Sequence, residues 1–157
     1  MIILGIDPGL ARTGYGVIKV LKNKKMKCLD LGVIETSPEL KREERLKKID
    51  DSLGRIIKRY QPNVLATEKV YFFKNLKTVI PVAEASGIVL LNAAKKNIPV
   101  FEFTPLEIKF SLTNNGRAEK EEVIKKIKRV FKIRRDFLVD DAFDALACAL
   151  TVVFKTS

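Results

Sequence analysis

Apolar residues follow two rhythms along this chain. Before Ser37 they come in short runs or alternate with polar residues, the two-residue period of strands. Ile2–Ile6 is a continuous run closed by Asp7, Pro8 and Gly9, which predicts a buried strand. Tyr15–Leu21 predicts a second, with Tyr15 and Val17 on one face and Ile18 and Val20 on the other. After a polar turn, Asn23-Lys24-Lys25, the segment Lys27–Glu35 predicts a third, with Leu29, Leu31 and Val33 alternating against Asp30 and Gly32. Turns this short imply an antiparallel meander.

Beyond Ser37 the period lengthens. Leu46, Ile49, Leu53, Ile56, Ile57 and Tyr60 recur at helical spacing. Ser37-Pro38 offers an N-cap and a proline for the first helical position, so a long helix is predicted from there to Tyr60. Val64–Thr67 predicts a short strand ending on Glu68. Residues 75–96 predict a helix with Pro81 as a kink or a late start, and Ala83, Ala85, Ser86 and Gly87 suggest close packing. Pro99–Phe103 predicts a fifth strand, and Thr104-Pro105 starts a helix that Asn114-Asn115-Gly116 breaks. Glu119–Phe131 predicts an amphipathic helix with acids first and bases last, the order its dipole favours. Lys132–Asp136 reads as a basic loop. Asp140–Phe154 is apolar nearly all round and must be buried. A meander followed by strand-helix-strand units predicts an α/β fold: a mixed five-stranded sheet flanked by helices, in one domain spanning 1–157.

Composition narrows the chemistry. The 157 residues are 46% hydrophobic and 31% charged, as in a soluble globular protein. No apolar run approaches the ~20 residues of a membrane span, and Asp7 interrupts the N-terminal run too early for a signal peptide. There is no histidine, and Cys28 and Cys148 lie far apart. Zinc chemistry and Ser-His or Cys-His catalysis are thereby disfavoured. The net charge of +11 points to a polyanionic partner, nucleic acid before membrane.

Four acids sit where the pattern asks for something else. Asp7 and Glu68 end buried strands. Asp141 and Asp144 interrupt the last, apolar helix three residues apart, on one face. Each has a plainer reading. Asp-Pro-Gly is ordinary turn chemistry, Glu68 is a solvated strand end, and Asp140 and Asp141 are an N-cap and a first-turn acid. Asp144 resists, because an unpaired charge between Phe143, Ala145 and Leu146 is costly. A lysine partner would satisfy it, as would a metal ion. Carboxylates without His or Cys select hard cations such as Mg²⁺ or Mn²⁺. Two such ions about 4 Å apart allow phosphodiester hydrolysis by activating water and stabilising the leaving oxygen.

With those residues in place, a resemblance appears. Ile6-Asp7-Pro8-Gly9, Thr13-Gly14-Tyr15-Gly16, Glu68-Lys69-Val70-Tyr71-Phe72, Lys74-Asn75, Gly116-Arg117-Ala118-Glu119-Lys120 and Asp141-Ala142-Phe143-Asp144-Ala145-Leu146-Ala147 resemble, in order, the bacterial RuvC-type Holliday junction resolvases. The resemblance implies an RNase H-like fold and a homodimer that nicks two symmetric strands of a four-way DNA junction, in recombination and repair. It implies Asp7, Glu68, Asp141 and Asp144 as catalytic, metal-binding acids with two Mg²⁺ per site (or Mn²⁺), and Asp141 rather than Asp140 as the match. It further implies junction contacts at Tyr71, Lys74, Lys109, Arg117 and Lys120, a branch-migration motor of the RuvA and RuvB type as partner, and a cytoplasmic, nucleoid-associated protein. Where the family usually has Gln-Ala-Arg-Gly, in a helix at its dimer interface, this chain has Glu84-Ala85-Ser86-Gly87, and Pro81 replaces a helix former.

Three other readings compete. An RNase H-like nuclease for RNA:DNA hybrids or RNA processing would lack use for Tyr71-Phe72, Lys74-Asn75 and the Gly116–Lys120 block. An actin-like ATPase half needs a second domain and a second glycine-rich loop. A non-catalytic DNA-binding module would keep the charge but has no use for four inward acids. The glycines at Gly14 and Gly16 predict a close approach, either of DNA backbone or of a tight strand crossing.

Overall fold

The computed structural model describes residues 1–22, 24–70, 76–133 and 140–155, with side chains in the second helix from residue 79 onward. Strands β1 (Ile2–Asp7), β2 (Arg12–Val20) and β3 (Met26–Glu35) are followed by α1 (Arg42–Tyr60), β4 (Val64–Glu68), α2 (Leu76–Lys95) and β5 (Val100–Phe103). Helices α3 (Pro105–Thr113), α4 (Lys120–Phe131) and α5 (Asp140–Lys155) complete the order. The sheet is mixed, as expected, with strands in the order β3-β2-β1-β4-β5. The meander is antiparallel, and β1, β4 and β5 are parallel neighbours.

Alternation along the inner strands divides two cores. Leu4, Ile6 and Val17 face α1 and α2 with Leu53, Ile57, Val89 and Ala93. Ile3 and Ile18 face the other way, onto Leu146, Cys148 and Leu150 of α5 and Ile127 of α4. Both inner strands are therefore covered on both faces, which is why β1 reads as a continuous apolar run.

β3 departs from its expected alternation. Val17 pairs with Asp30 but Ile18 pairs with Cys28, which leaves Leu29 as an extra residue in a β-bulge. Leu29 is 39% exposed, while Met26, Cys28 and Leu31 pack on the α5 side. Asp30 points the other way, where Oδ2 accepts from the Tyr60 hydroxyl of α1 at 2.7 Å. One added residue thus reverses the facing of everything before it.

α1 also starts later than Ser37-Pro38 suggests. Ser37 closes a turn of its own: its Oγ accepts from Glu39 N–H at 3.2 Å and its carbonyl from Leu40 N–H at 3.3 Å. The helix begins after Lys41, whose N–H is capped by Glu44 Oε2 at 2.8 Å. α2 runs through Pro81 from Leu76.

Gly14 and Gly16 do allow a close approach, but neither expected partner is the one that comes near. It is α5. A Cβ on Gly14 would collide with the Asp141 carbonyl, one on Gly5 with the Ala145 carbonyl, and one on Gly16 would lie 2.7 Å from Leu146 Cδ2. Three glycines on two adjacent strands form a trough: at Gly5 and Gly14 the backbone of α5 rests directly on the sheet backbone, and Gly16 receives the Leu146 side chain.

Candidate active site

Strand register gathers the acids. Ile6 lies opposite Thr67 in the parallel pair β1–β4, so Asp7 and Glu68 end neighbouring strands side by side. Gly14 pairs with Asp7 across β1–β2. Because the Asp141 carbonyl rests on Gly14, Asp141 is seated beside the strand end that carries Asp7. Asp144 follows about one turn along α5.

Their electrostatics confirm the crowding. Burial, then the charges of Asp144, Glu68 and Asp141, push the Asp7 carboxyl up to about 7, with Lys120 opposing. Burial and Asp144 raise Glu68 against the pull of Lys120 and Lys109. Burial raises Asp144 too; Lys120 counteracts it, and Asp140 and Asp141 add to it. These are carboxylates competing for charge in a partly dry site.

Two cationic side chains answer that charge. Lys120 Nζ donates to Asp144 Oδ2 at 2.8 Å and lies 3.5 Å from Asp140 Oδ2. Burial alone would lower the Lys120 ammonium, but its bonds and charge interactions with Asp144 and Asp140 hold it above its ordinary value. Arg12 Nη2 lies 2.7 Å from Asp141 Oδ2. That oxygen is buried and accepts no hydrogen bond of good geometry, so the contact is an ion pair only.

Glu68, Asp144, Lys109 and Lys120 line a pocket of about 230 Å³ whose apolar wall is Ile108, Val123 and Ala147. α3 places Lys109 there: Thr104 Oγ1 accepts from Glu107 N–H at 3.1 Å, Thr104 N–H donates to Glu107 Oε2 at 2.9 Å, and Pro105 opens the helix. Arg117 is exposed in the α3–α4 loop, its N–H bound to Asn115 Oδ1 at 3.0 Å, and does not line the pocket. Tyr71 and Lys74 lie outside the described residues.

The donor set fits a hard divalent cation. Every candidate ligand is a carboxylate oxygen, Asp141 Oδ2 is buried without a hydrogen bond, and the Asp7 carboxyl is starved of positive charge. Among the described residues no three ligating side chains stand close enough to grip an ion as placed. Arg12 and Lys120 hold two of the acids instead.

Sequence reasoning missed Arg12, for a single charge at the first residue of a strand has no periodicity to betray it. It also passed over Cys148, one turn beyond Asp144. That thiol is fully buried and pushed well up, by burial first and then by Glu68, Asp7 and Asp144.

The family model for crossover junction endodeoxyribonuclease RuvC matches residues 3–152. The chain belongs to the RuvC family. A RuvC from Petrotoga mobilis is 47% identical over 149 residues, covering 95% of this chain and 91% of that one. A RuvC from Caldicellulosiruptor saccharolyticus is 41% identical over 157 residues, covering 100% and 95%. The solved structure of T. thermophilus RuvC in complex with Holliday junction substrate superposes with a TM-score of 0.92 at 31% identity, over 99% of this chain and 94% of that one. The fold is RNase H-like, shared at TM-score 0.65 and 14% identity with the yeast mitochondrial resolvase Ydc2.

Proposed function

We propose that this protein is a structure-selective endonuclease that resolves four-way DNA junctions by paired symmetric nicks in homologous recombination and repair. The observation that carries the reading is the meeting of four acids at one end of the sheet in a chain of net charge +11. The whole of 1–157 works as one nuclease domain.

Asp7, Glu68, Asp141 and Asp144 would hold two divalent cations, Mg²⁺ in the cell or Mn²⁺ in its place. Cations there activate a water for attack on the phosphodiester and stabilise the oxygen that leaves. The chain's own part is to position and to neutralise. Lys109 and Lys120 reach the pocket and offset the charge of the scissile phosphate. Lys120 also steadies Asp144, and Ile108, Val123 and Ala147 keep one side of the pocket dry. Tyr71, Lys74 and Arg117 would add further DNA contacts.

Two nicks require two sites. Ile80, Leu90 and Leu91 stay exposed on α2, and nothing stands within 4 Å of a Cβ placed on Gly87. This small, apolar helix face supports a homodimer. Glu84 does not oppose it, because its carboxylate is bound by the Arg42 guanidinium of the same chain's α1. A branch-migration motor of the RuvA and RuvB type would present the junction, in the cytoplasm at the nucleoid. Among the described residues no helix is long and apolar enough to cross a membrane.

The test is incubation with end-labelled four-way junction, linear duplex and RNA:DNA hybrid, each with Mg²⁺ or EDTA. Paired nicks in the junction alone, lost in EDTA, are expected. Cleavage of the hybrid alone overturns the reading in favour of a ribonuclease, and cleavage unaffected by EDTA overturns the metal site.

A further inference from the structure

The catalytic pocket uses little of the basic charge. Lysines also converge at the far end of the sheet, between the β2–β3 turn and the end of α4. There Lys24, Lys25, Lys27 and Lys132 rim a groove of about 660 Å³, over an apolar floor that includes Met26, Val130 and Phe131. Among the described residues no acid lines it.

Backbone geometry does not select lysine at Lys24 or Lys132. Lys24 and Lys132 both occupy left-handed backbone, at φ 59° and 54°, where Gly or Asn is favoured. At Lys132 the C-terminal helix dipole offers a reason for a cation. At Lys24 no helix end is present, and two backbone bonds close the turn, Lys24 N–H to the Leu21 carbonyl at 3.0 Å and Leu21 N–H to the Lys25 carbonyl at 2.8 Å.

Two rulers give the distance from the acids. From Gly14, which pairs with Asp7, to Val20 is six residues of strand, roughly 20 Å. From Lys120, bonded to Asp144, to Lys132 is twelve residues along α4, roughly 18 Å. A duplex advances about 3.4 Å per base pair, so the groove stands five or six base pairs from the reacting phosphate. Lys125 and Arg129 are exposed along α4 between the two points.

We propose that this lysine groove holds the phosphate backbone of a duplex arm, about half a helical turn from the cut. It rests on the junction-binding reading and deepens it: arm length, beyond the branch point itself, becomes part of what the protein recognises. The lysines grip phosphates without regard to sequence, and the apolar floor keeps their stems extended.

The experiment replaces Lys24, Lys25, Lys27 and Lys132 with Gln together, all four being exposed. A control replaces Lys47, Lys48, Lys58 and Lys96, also exposed, in the same way. Binding to junctions is titrated across salt concentrations, with arms either long or capped by hairpin loops at about four base pairs, too short to reach the groove. On long arms the groove variant should lose on the order of tenfold in affinity, and its slope of log K against log salt should flatten by about 3, near 0.9 per phosphate contact released. On capped arms it should match wild type, and the control should keep the wild-type slope on both. An unchanged slope on long arms, or an equal loss in the control, overturns the proposal. Equal losses on long and capped arms do so as well, since they would mean only a weaker general field. Wild-type failure to cut the junction would sink the nuclease reading separately, because the slopes are read from binding alone.

Discussion

Arg12 Nη2 stands 2.7 Å from Asp141 Oδ2, so a guanidinium from β2 already faces one of the four acids. Arg12 comes from the first residue of β2 and Asp141 from the first turn of α5. The pair ties helix to strand and occupies an oxygen that the proposed metal site would need. Divalent cations must displace Arg12 to reach that oxygen. The arginine side chain is 44% exposed, and such pairs are worth about 0–1 kcal/mol. Arg12→Ala should therefore tighten divalent cation binding by about two- to fivefold, measured by calorimetry without DNA. Unchanged or weaker binding would show that Arg12 does not compete for the site.

Asp7 carries a stability cost that can be read without any activity assay. Its folded carboxyl titrates near 7 against an ordinary 3.8, chiefly because it is buried. A raised acid favours the folded state only while protonated, so the metal-free protein loses stability as pH climbs from about 4 to 7. The loss is at most on the order of 2–4 kcal/mol. Asp7→Asn should make this slope clearly shallower in urea unfolding with EDTA present, the raised Glu68 and Asp144 leaving a remainder, and should end junction cleavage while leaving binding nearly intact. A wild-type midpoint flat across that pH range would contradict the burial argument.

Gly14→Ala forces a methyl group into the Asp141 carbonyl. Overpacking of this kind costs about 1–3 kcal/mol, and here it also lifts the acid-bearing turn of α5. Melting temperature and cleavage should both fall. Gly87→Ala meets nothing within 4 Å and should stabilise the protomer by up to about 1 kcal/mol. If the two substitutions melted alike, the glycine trough would not be what seats α5.

Thr104→Ala removes the hydroxyl that accepts the Glu107 N–H at the start of α3. Loss of such a cap costs about 1 kcal/mol and loosens the helix that carries Lys109 to the pocket. Glu107 itself is held down to about 2, first by its bond to Lys155 and then by Thr104. A lowered acid contributes stability above its ordinary value of 4.5, and that contribution is lost as pH falls toward 2. The acid limb of a melting-temperature profile should accordingly flatten in Lys155→Met. An unaltered profile would remove Glu107 from the account.

The sheet was legible because both rhythms are strong: β1 is apolar throughout and α5 nearly so, and each occupies the doubly covered position its pattern demands. The acids were legible as interruptions of those patterns, and the choice of Asp141 over Asp140 came from the resemblance. The structure shows the physical difference, a side chain 27% exposed against one 68% exposed. What escaped was non-periodic. The bulge at Leu29 is a single inserted residue that leaves the local alternation looking intact. Ser37-Pro38 has helix-start chemistry but spends it on a turn. The glycines announced a close approach without naming the visitor, since which element comes near is decided by packing across more than a hundred residues of chain.

The trough of Gly5, Gly14 and Gly16 has a consequence for how the site can vary. Where a helix rests on a sheet through side chains, its height is adjustable: a larger or smaller residue shims it up or down. Here, at Gly5 and Gly14, carbonyls of α5 touch strand backbone directly, so there is no shim. The offset between Asp7 and Asp141 is set by atomic radii, and drift in the surrounding core cannot retune it. Adding an atom at Gly5 or Gly14 would move it, which makes these two positions the least negotiable part of the gauge between the strand-borne and helix-borne acids.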